Sequence, residues 1–195
     1  PQLPWEIAGS LYVVGVTAYA AVRAVAPQPA ETVAVSAAAG GVGSLVVQLL
    51  TLRRAQVLGI ASAGNADWLR AHHIIPVEYG DGLAVRLRDA APNGIDAFID
   101  LFGPDYIQLA VDLGVAPERI ETIISFAKAA EVGAKTEGSM DASTPEVLTE
   151  IADVVVSGDI DFDIAATYPL DRVADAFEQL ERRHTHGKIV LLPQD

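Results

Sequence analysis

The residues best suited to chemistry lie in one turn, Ala37-Ala-Ala-Gly-Gly-Val-Gly43. A β-branched apolar run precedes this turn and an apolar pattern of helical spacing follows it, over residues 32–50. A strand, a turn too tight for side chains and a helix N-terminus together make an anion site, because free backbone N–H groups and the helix dipole both favour phosphate there. Gly40 and Gly43 fall where the dinucleotide fingerprint has its second and third glycines, and Ala38 stands in place of the first. Gly40 would let the backbone approach a pyrophosphate, and Gly43 would let helix and strand pack closely; a glycine-rich βα turn that binds nothing is the alternative. No Gly-Lys-Ser/Thr follows, so a Walker loop is excluded. A short-chain reductase would need Tyr-x-x-x-Lys. Four places after Tyr12, Tyr19, Tyr79, Tyr106 and Tyr168 stand Val16, Arg23, Leu83, Ala110 and Arg172, so that reading fails.

The end of the second strand pattern, Ile60-Ala-Ser-Ala-Gly64, has no carboxylate to hold a ribose hydroxyl pair. A carboxylate there would repel a 2′-phosphate, so its absence favours NADP(H) over NAD(H). The other polar clusters read as structural. Asp159, Asp161 and Asp163 alternate, but the places that a calcium loop reserves for Gly and Glu hold Ile164 and Leu170. His72, His73, His184 and His186 lie at helix ends, where they complement the dipole, and two histidines without a third ligand make a poor metal site. No catalytic residue is named.

Alternating helix and strand patterns must position the turn, and they predict an α/β fold with a doubly wound, Rossmann-type parallel sheet and a C-terminal strand–helix–strand return. Helices are expected over 8–26, 42–54, 65–72, 83–90, 105–113, 144–157 and 171–183, and strands over 33–36, 56–60, 74–77, 95–100, 119–125, 163–168 and 188–192. Thr144-Pro145 reads as an N-cap followed by proline at the first helical position. The run 127–143 reads as loop-like, with room for a further strand. Ligands in doubly wound sheets sit beyond the carboxyl ends of the strands. The loops holding Leu101 and Phe102, and Ser125 and Phe126, are therefore placed to flank a cofactor.

The chain has 195 residues, 51% hydrophobic and 20% charged, enough for one sizeable core. A formal net charge of −13 argues against nucleic acid and anionic membranes as partners. There is no cysteine, so disulfides and thiolate zinc sites are excluded. No apolar run is expected to span a bilayer, residues 33–50 coming closest, and the cytoplasm is the expected compartment.

From the glycine turn outward the chain resembles the medium-chain dehydrogenase/reductase superfamily, in its zinc-independent NADPH:quinone oxidoreductase and enoyl reductase branch. Val14-Gly-Val-Thr-Ala-Tyr19, the glycine turn, Gly59-Ile-Ala-Ser62, Asp96-Ala-Phe-Ile-Asp-Leu-Phe-Gly103, Tyr168-Pro-Leu-Asp-Arg-Val-Ala-Asp-Ala-Phe177 and His186-Gly-Lys-Ile-Val-Leu191 carry the likeness. It implies a linking helix over 1–28, a dinucleotide-binding domain over 29–160, and a segment over 161–195 that packs on a GroES-like catalytic domain lying outside this chain. It implies NADP(H) without zinc, with Thr17, Leu101, Phe102, Ser125 and Phe126 near the nicotinamide and Gly40, Gly41, Val42 and Gly43 on the pyrophosphate. Ser62 and Tyr79 would meet the 2′-phosphate beside Asn65, which stands where the family often has Lys. It implies hydride transfer to a quinone, enone or enoyl thioester, and a homodimer. A non-catalytic NADP(H)-binding sensor is the rival reading.

Overall fold

Val33 and Val35 of β1 (Thr32–Val35) point to one side of a sheet and Ala34 to the other, and both sides are buried. The structure, a computed structural model, describes residues 3–182 and 185–193. β2 (Gln56–Ala61), β3 (Ile75–Glu78), β4 (Ala97–Asp100) and β5 (Ile120–Thr122) complete a five-stranded sheet in the order β3-β2-β1-β4-β5. All of its pairings are parallel. One face carries α1 (Trp5–Val25) and α2 (Gly43–Leu52), whose Val14, Val22, Leu45 and Leu50 pack on Val33, Val35 and Ile99. The opposite face carries α4 (Leu83–Ala90) and α5 (Pro104–Asp112), whose Leu87 and Ile107 pack on Leu58 and Phe98. Helices on both faces of a parallel sheet are the doubly wound arrangement that the sequence predicts.

The remaining helices are α3 (Ala66–Ala71), α6 (Phe126–Val132), α7 (Pro145–Val156) and α8 (Val173–Glu181). β6 (Ile164–Pro169) and β7 (Lys188–Leu192) flank α8 and pair in parallel as a separate two-stranded sheet. Thr144 caps α7 as expected, its hydroxyl accepting from the Val147 amide. Three expectations change. The run 127–143 contains most of α6 and one parallel bridge, Glu121 to Lys135, in place of a long loop. The fifth strand stops at Thr122, three residues early, because the Thr122 hydroxyl accepts from the Ile124 and Ser125 amides and turns the chain. α1 is, by length and composition, apolar enough to cross a membrane, contrary to the sequence reading. Here much of its apolar surface faces the core, with Leu11, Val14, Val16, Val22 and Val25 buried, while Trp5, Tyr12 and Val13 stay exposed.

Two local constraints generate predictions. A Cβ at Gly43 would lie 2.1 Å from the Ala37 carbonyl oxygen, a backbone atom that no rotamer can move aside. Gly43→Ala should therefore destabilise the fold by about 2–3 kcal/mol, read by urea unfolding. Glu121 is fully buried, opposite Ile99 and so on the α1 face. Neither of its carboxyl oxygens closes a hydrogen bond. Burial pushes this carboxyl up to about 8 from 4.5. The Glu137 carboxylate adds to that rise, and Lys135 opposes it. A raised carboxyl favours the folded state most below its unfolded value, so this contribution is lost as pH rises from about 4.5 to about 8. Glu121→Gln has no such loss. Its stability relative to the parent, compared at pH 5 and pH 8, should improve by a few kcal/mol; an unchanged difference would show that the carboxyl is solvated.

Candidate functional site

The glycine turn closes on its own backbone. Ala37 adopts a left-handed φ of 48°, the Gly40 amide donates to the Ala37 carbonyl (2.9 Å), and the Ser44 amide donates to the Gly40 carbonyl (2.9 Å). No side chain caps α2. The amides of Gly41, Val42 and Gly43 donate to no backbone carbonyl among the described residues. Ala38, in the place of the first glycine, is buried, and a Cβ on Gly59 would lie 3.2 Å from the Ala38 Cβ. The turn therefore packs tightly on β2 while leaving donors at the helix start.

A cleft of about 280 Å³ opens beyond the carboxyl ends of the strands. Gly40, Ser62, Asn65, Tyr79 and Phe102 line it, so five of the twelve expected cofactor residues meet in one cavity. Among the described residues no carboxylate lines it. Asn65 Nδ2 donates to Ser62 Oγ (2.9 Å), which leaves the serine hydroxyl hydrogen for another acceptor. Gly41, Val42 and Gly43 continue the turn outside this cavity. Val42 precedes α2 and packs partly into the core. Thr17 is buried in α1, where its hydroxyl donates to the Val13 carbonyl (2.6 Å). Phe126 begins α6 and is exposed.

Leu101 and Ser125 belong to a polar knot at the ends of β1, β4 and β5. The Asp100 side chain is fully buried. Its Oδ1 accepts from Ser36 Oγ and from the Phe102 and Gly103 amides, each at 3.0 Å. Its Oδ2 accepts from Thr122 Oγ1 (2.8 Å) and Ser125 Oγ (3.1 Å). Ser36 Oγ accepts in turn from the Leu101 amide (2.8 Å). Asp100 is thus the residue that sets both loops expected to flank a cofactor.

Two lining residues with polar side chains, Tyr106 and Thr185, were not among the expected site residues. Tyr106 stands in the first turn of α5, edge-on to Phe102 with ring centroids 5.7 Å apart. Burial, helped by the charge of Asp100, pushes its phenol up. Its position just after Gly103-Pro104, in a loop already singled out, was the available signal. Thr185 comes from the C-terminal return, far away in sequence, and nothing local marks it.

The histidines form separate contacts. His72 Nε2 donates to Asp161 Oδ2, and His186 Nε2 donates to Asp163 Oδ2, both at 2.9 Å. His184 lies outside the described residues. Among the described residues no group of three or more potential ligands converges on a point that could hold a metal ion.

A family model described as zinc-binding dehydrogenase matches residues 69–191, well over half of the chain. Bovine prostaglandin reductase 1 is 35% identical over 115 residues, 56% of this chain and 35% of that protein. The NADPH-dependent curcumin reductase of Escherichia coli strain K12 is 32% identical over 108 residues, 53% of this chain and 31% of that protein. The matched stretches thus span about a third of these relatives' length. The solved quinone oxidoreductase of Coxiella burnetii superposes with a TM-score of 0.81 at 25% identity, over 97% of this chain and 61% of that one. Matched in sequence over most of its length and folded like that oxidoreductase, the chain belongs to the zinc-binding dehydrogenase family of the medium-chain dehydrogenase/reductase superfamily.

Proposed function

We propose that this chain is the NADP(H)-binding part of an oxidoreductase that reduces a quinone, an enone or an enoyl thioester. The observation that carries the reading is the continuity of the uncapped glycine turn with a cleft free of carboxylates, where Ser62 and Tyr79 stand at the end of the second and third strands. A side chain at Gly43 would strike Ala37, so the close approach of α2 to the turn rests on glycine itself. In this reading the amides of residues 41–43 hold the diphosphate, Ser62 and Tyr79 hold the 2′-phosphate, and Tyr106 and Phe102 form an aromatic wall. Thr17, Leu101, Ser125 and Phe126 remain on the nicotinamide side, with Asp100 fixing the loops that carry three of them. The cofactor supplies the hydride, and this chain supplies position and electrostatics.

The NADPH named for the curcumin reductase and the reductase chemistry of the bovine relative support this assignment. The division at residues 28 and 160, a homodimer and a cytoplasmic location belong to this reading as what the family resemblance implies.

The test is a titration with NADPH and, separately, with NADH, followed by nicotinamide fluorescence and by quenching of Trp5 and Trp68. NADPH should bind more tightly than NADH. Ser62→Ala should narrow that gap by roughly tenfold, about one hydrogen bond to a charged group. Gly40→Asp, which sets a carboxylate against the diphosphate, should abolish binding of both. A folded sample that binds neither nucleotide would sink the assignment.

A further inference from the structure

β5 is the last strand of the sheet, and residues 134–142 run along its edge as a strap. The strap meets β5 through one parallel bridge, Glu121 to Lys135. The Lys135 amide donates to the Ile120 carbonyl (2.8 Å), and the Thr122 amide donates to the Lys135 carbonyl (3.1 Å). Beyond that bridge, side chains lace the strap to the end of α1. Lys135 Nζ donates to the Ala24 carbonyl (2.5 Å). Arg23 Nη2 donates to the Glu137 carboxylate (2.8 Å) and to the Asp141 carbonyl (2.9 Å). Ala142 closes the strap, buried with Leu11, Val16 and Ile151.

Glu121 lies at the bridge. Its side chain is fully buried, and neither carboxyl oxygen has a hydrogen-bond partner. The charged groups that face it come from the strap: Lys135, Glu137 and Asp141. Two of the three are negative, and the one cation is engaged with Ala24. Arg23 of α1 is engaged with Glu137 and Asp141, and Arg119, one residue before β5, pairs with Glu31 (2.5 Å). β4 sets the apolar Ile99 opposite Glu121. A neutral carboxyl is tolerable in such a place, but a carboxylate needs a partner or water. Lifting the strap is the least disruptive way to admit water. Two backbone hydrogen bonds hold it to β5, whereas Ile99 and the facing residues of α1 are packed into the core.

The bridge also reaches the cleft end of the sheet. Thr122, whose amide the strap holds, donates its hydroxyl to Asp100 and accepts from the Ile124 and Ser125 amides. Loosening the strap therefore loosens the residue that sets the Ser125 loop.

We propose that Glu121 and residues 134–142 form a pH-operated latch on the edge of the sheet: the strap lies closed over a neutral Glu121 and lifts when that carboxyl ionises. Burial holds Glu121 near about 8 in the closed form, and hydration returns it towards 4.5 in the open one. Closure is therefore favoured most at low pH and weakens as pH rises between those two values.

The test is hydrogen exchange of single amides followed by NMR, corrected for intrinsic rates, from about pH 5 to about pH 8. Protection of the Thr122 and Lys135 amides should fall with pH, by about tenfold per unit at most, the limit for one proton. The Ser36 and Ala38 amides, bonded to Ile99 and Ile60 in the middle of the sheet, should keep their protection. In Glu121→Gln the fall at 122 and 135 should disappear. The Glu121 carboxyl carbon should titrate well above those of the other glutamates, a readout that needs no variant. Protection at 122 and 135 that ignores pH, a fall that persists in Glu121→Gln, an equal fall at 36 and 38, or a Glu121 midpoint near the ordinary 4.5 overturns the latch. None of these measurements uses a nucleotide, so the nucleotide reading stands or falls separately.

Discussion

The carboxylate of Asp100 is the point on which the functional end of this molecule depends. Removing a carboxylate from water costs several kcal/mol unless hydrogen bonds replace its hydration. Five donors do so here, drawn from the ends of β1 and β5 and from the loop that follows β4. Because the donors come from three different segments, the strands cannot shift relative to one another without leaving an oxygen unsatisfied. The cleft inherits this rigidity: Phe102 on its wall is held by the hydrogen bond that its amide donates to the Asp100 carboxylate, and Tyr106 packs on Phe102. A satisfied polar knot at the end of an otherwise apolar sheet specifies geometry more strictly than further apolar packing could.

The glycine turn works by the opposite means. The amides of residues 41–43 are left without partners among the described residues, and the geometry of the turn comes from the absence of side chains. Gly43 brings α2 within contact of the Ala37 carbonyl, Gly59 admits Ala38, and Gly41 leaves the space along which Lys188 lies. Each glycine removes a Cβ at a different close approach, and together they place a helix start at the mouth of a cleft. The sheet end thus joins a site of saturated hydrogen bonds to one of unsaturated donors, a pairing suited to gripping a ligand without distorting the scaffold.

Much of this was legible in the chain. The alternation of apolar runs with helical periodicity gave the order of elements, because buried parallel strands and their covering helices leave strong local patterns. The strand–glycine–helix sequence placed the turn, and Thr144-Pro145 placed the start of α7. Less legible were elements whose ends depend on distant partners. β5 ends early because a threonine hydroxyl captures the amides two and three residues on. α6 occupies a stretch whose glycines read as loop. α1 is apolar enough for a bilayer, and only its burial against the sheet shows where that surface goes.

The sequence by itself determined the doubly wound sheet, the glycine turn and the want of a carboxylate after the second strand. Those properties follow from local periodicity and from residue types a few positions apart. Tertiary structure alone decided which residues share the cleft. It brought Tyr106 beside Tyr79 and Thr185 to the same wall. It also laid Lys188 along Gly41, although 147 positions (188 − 41) separate them in the chain. No local pattern encodes such a meeting, because it is set by the packing of the C-terminal return on α2 and α3, through Gln48, Trp68 and the two His–Asp pairs.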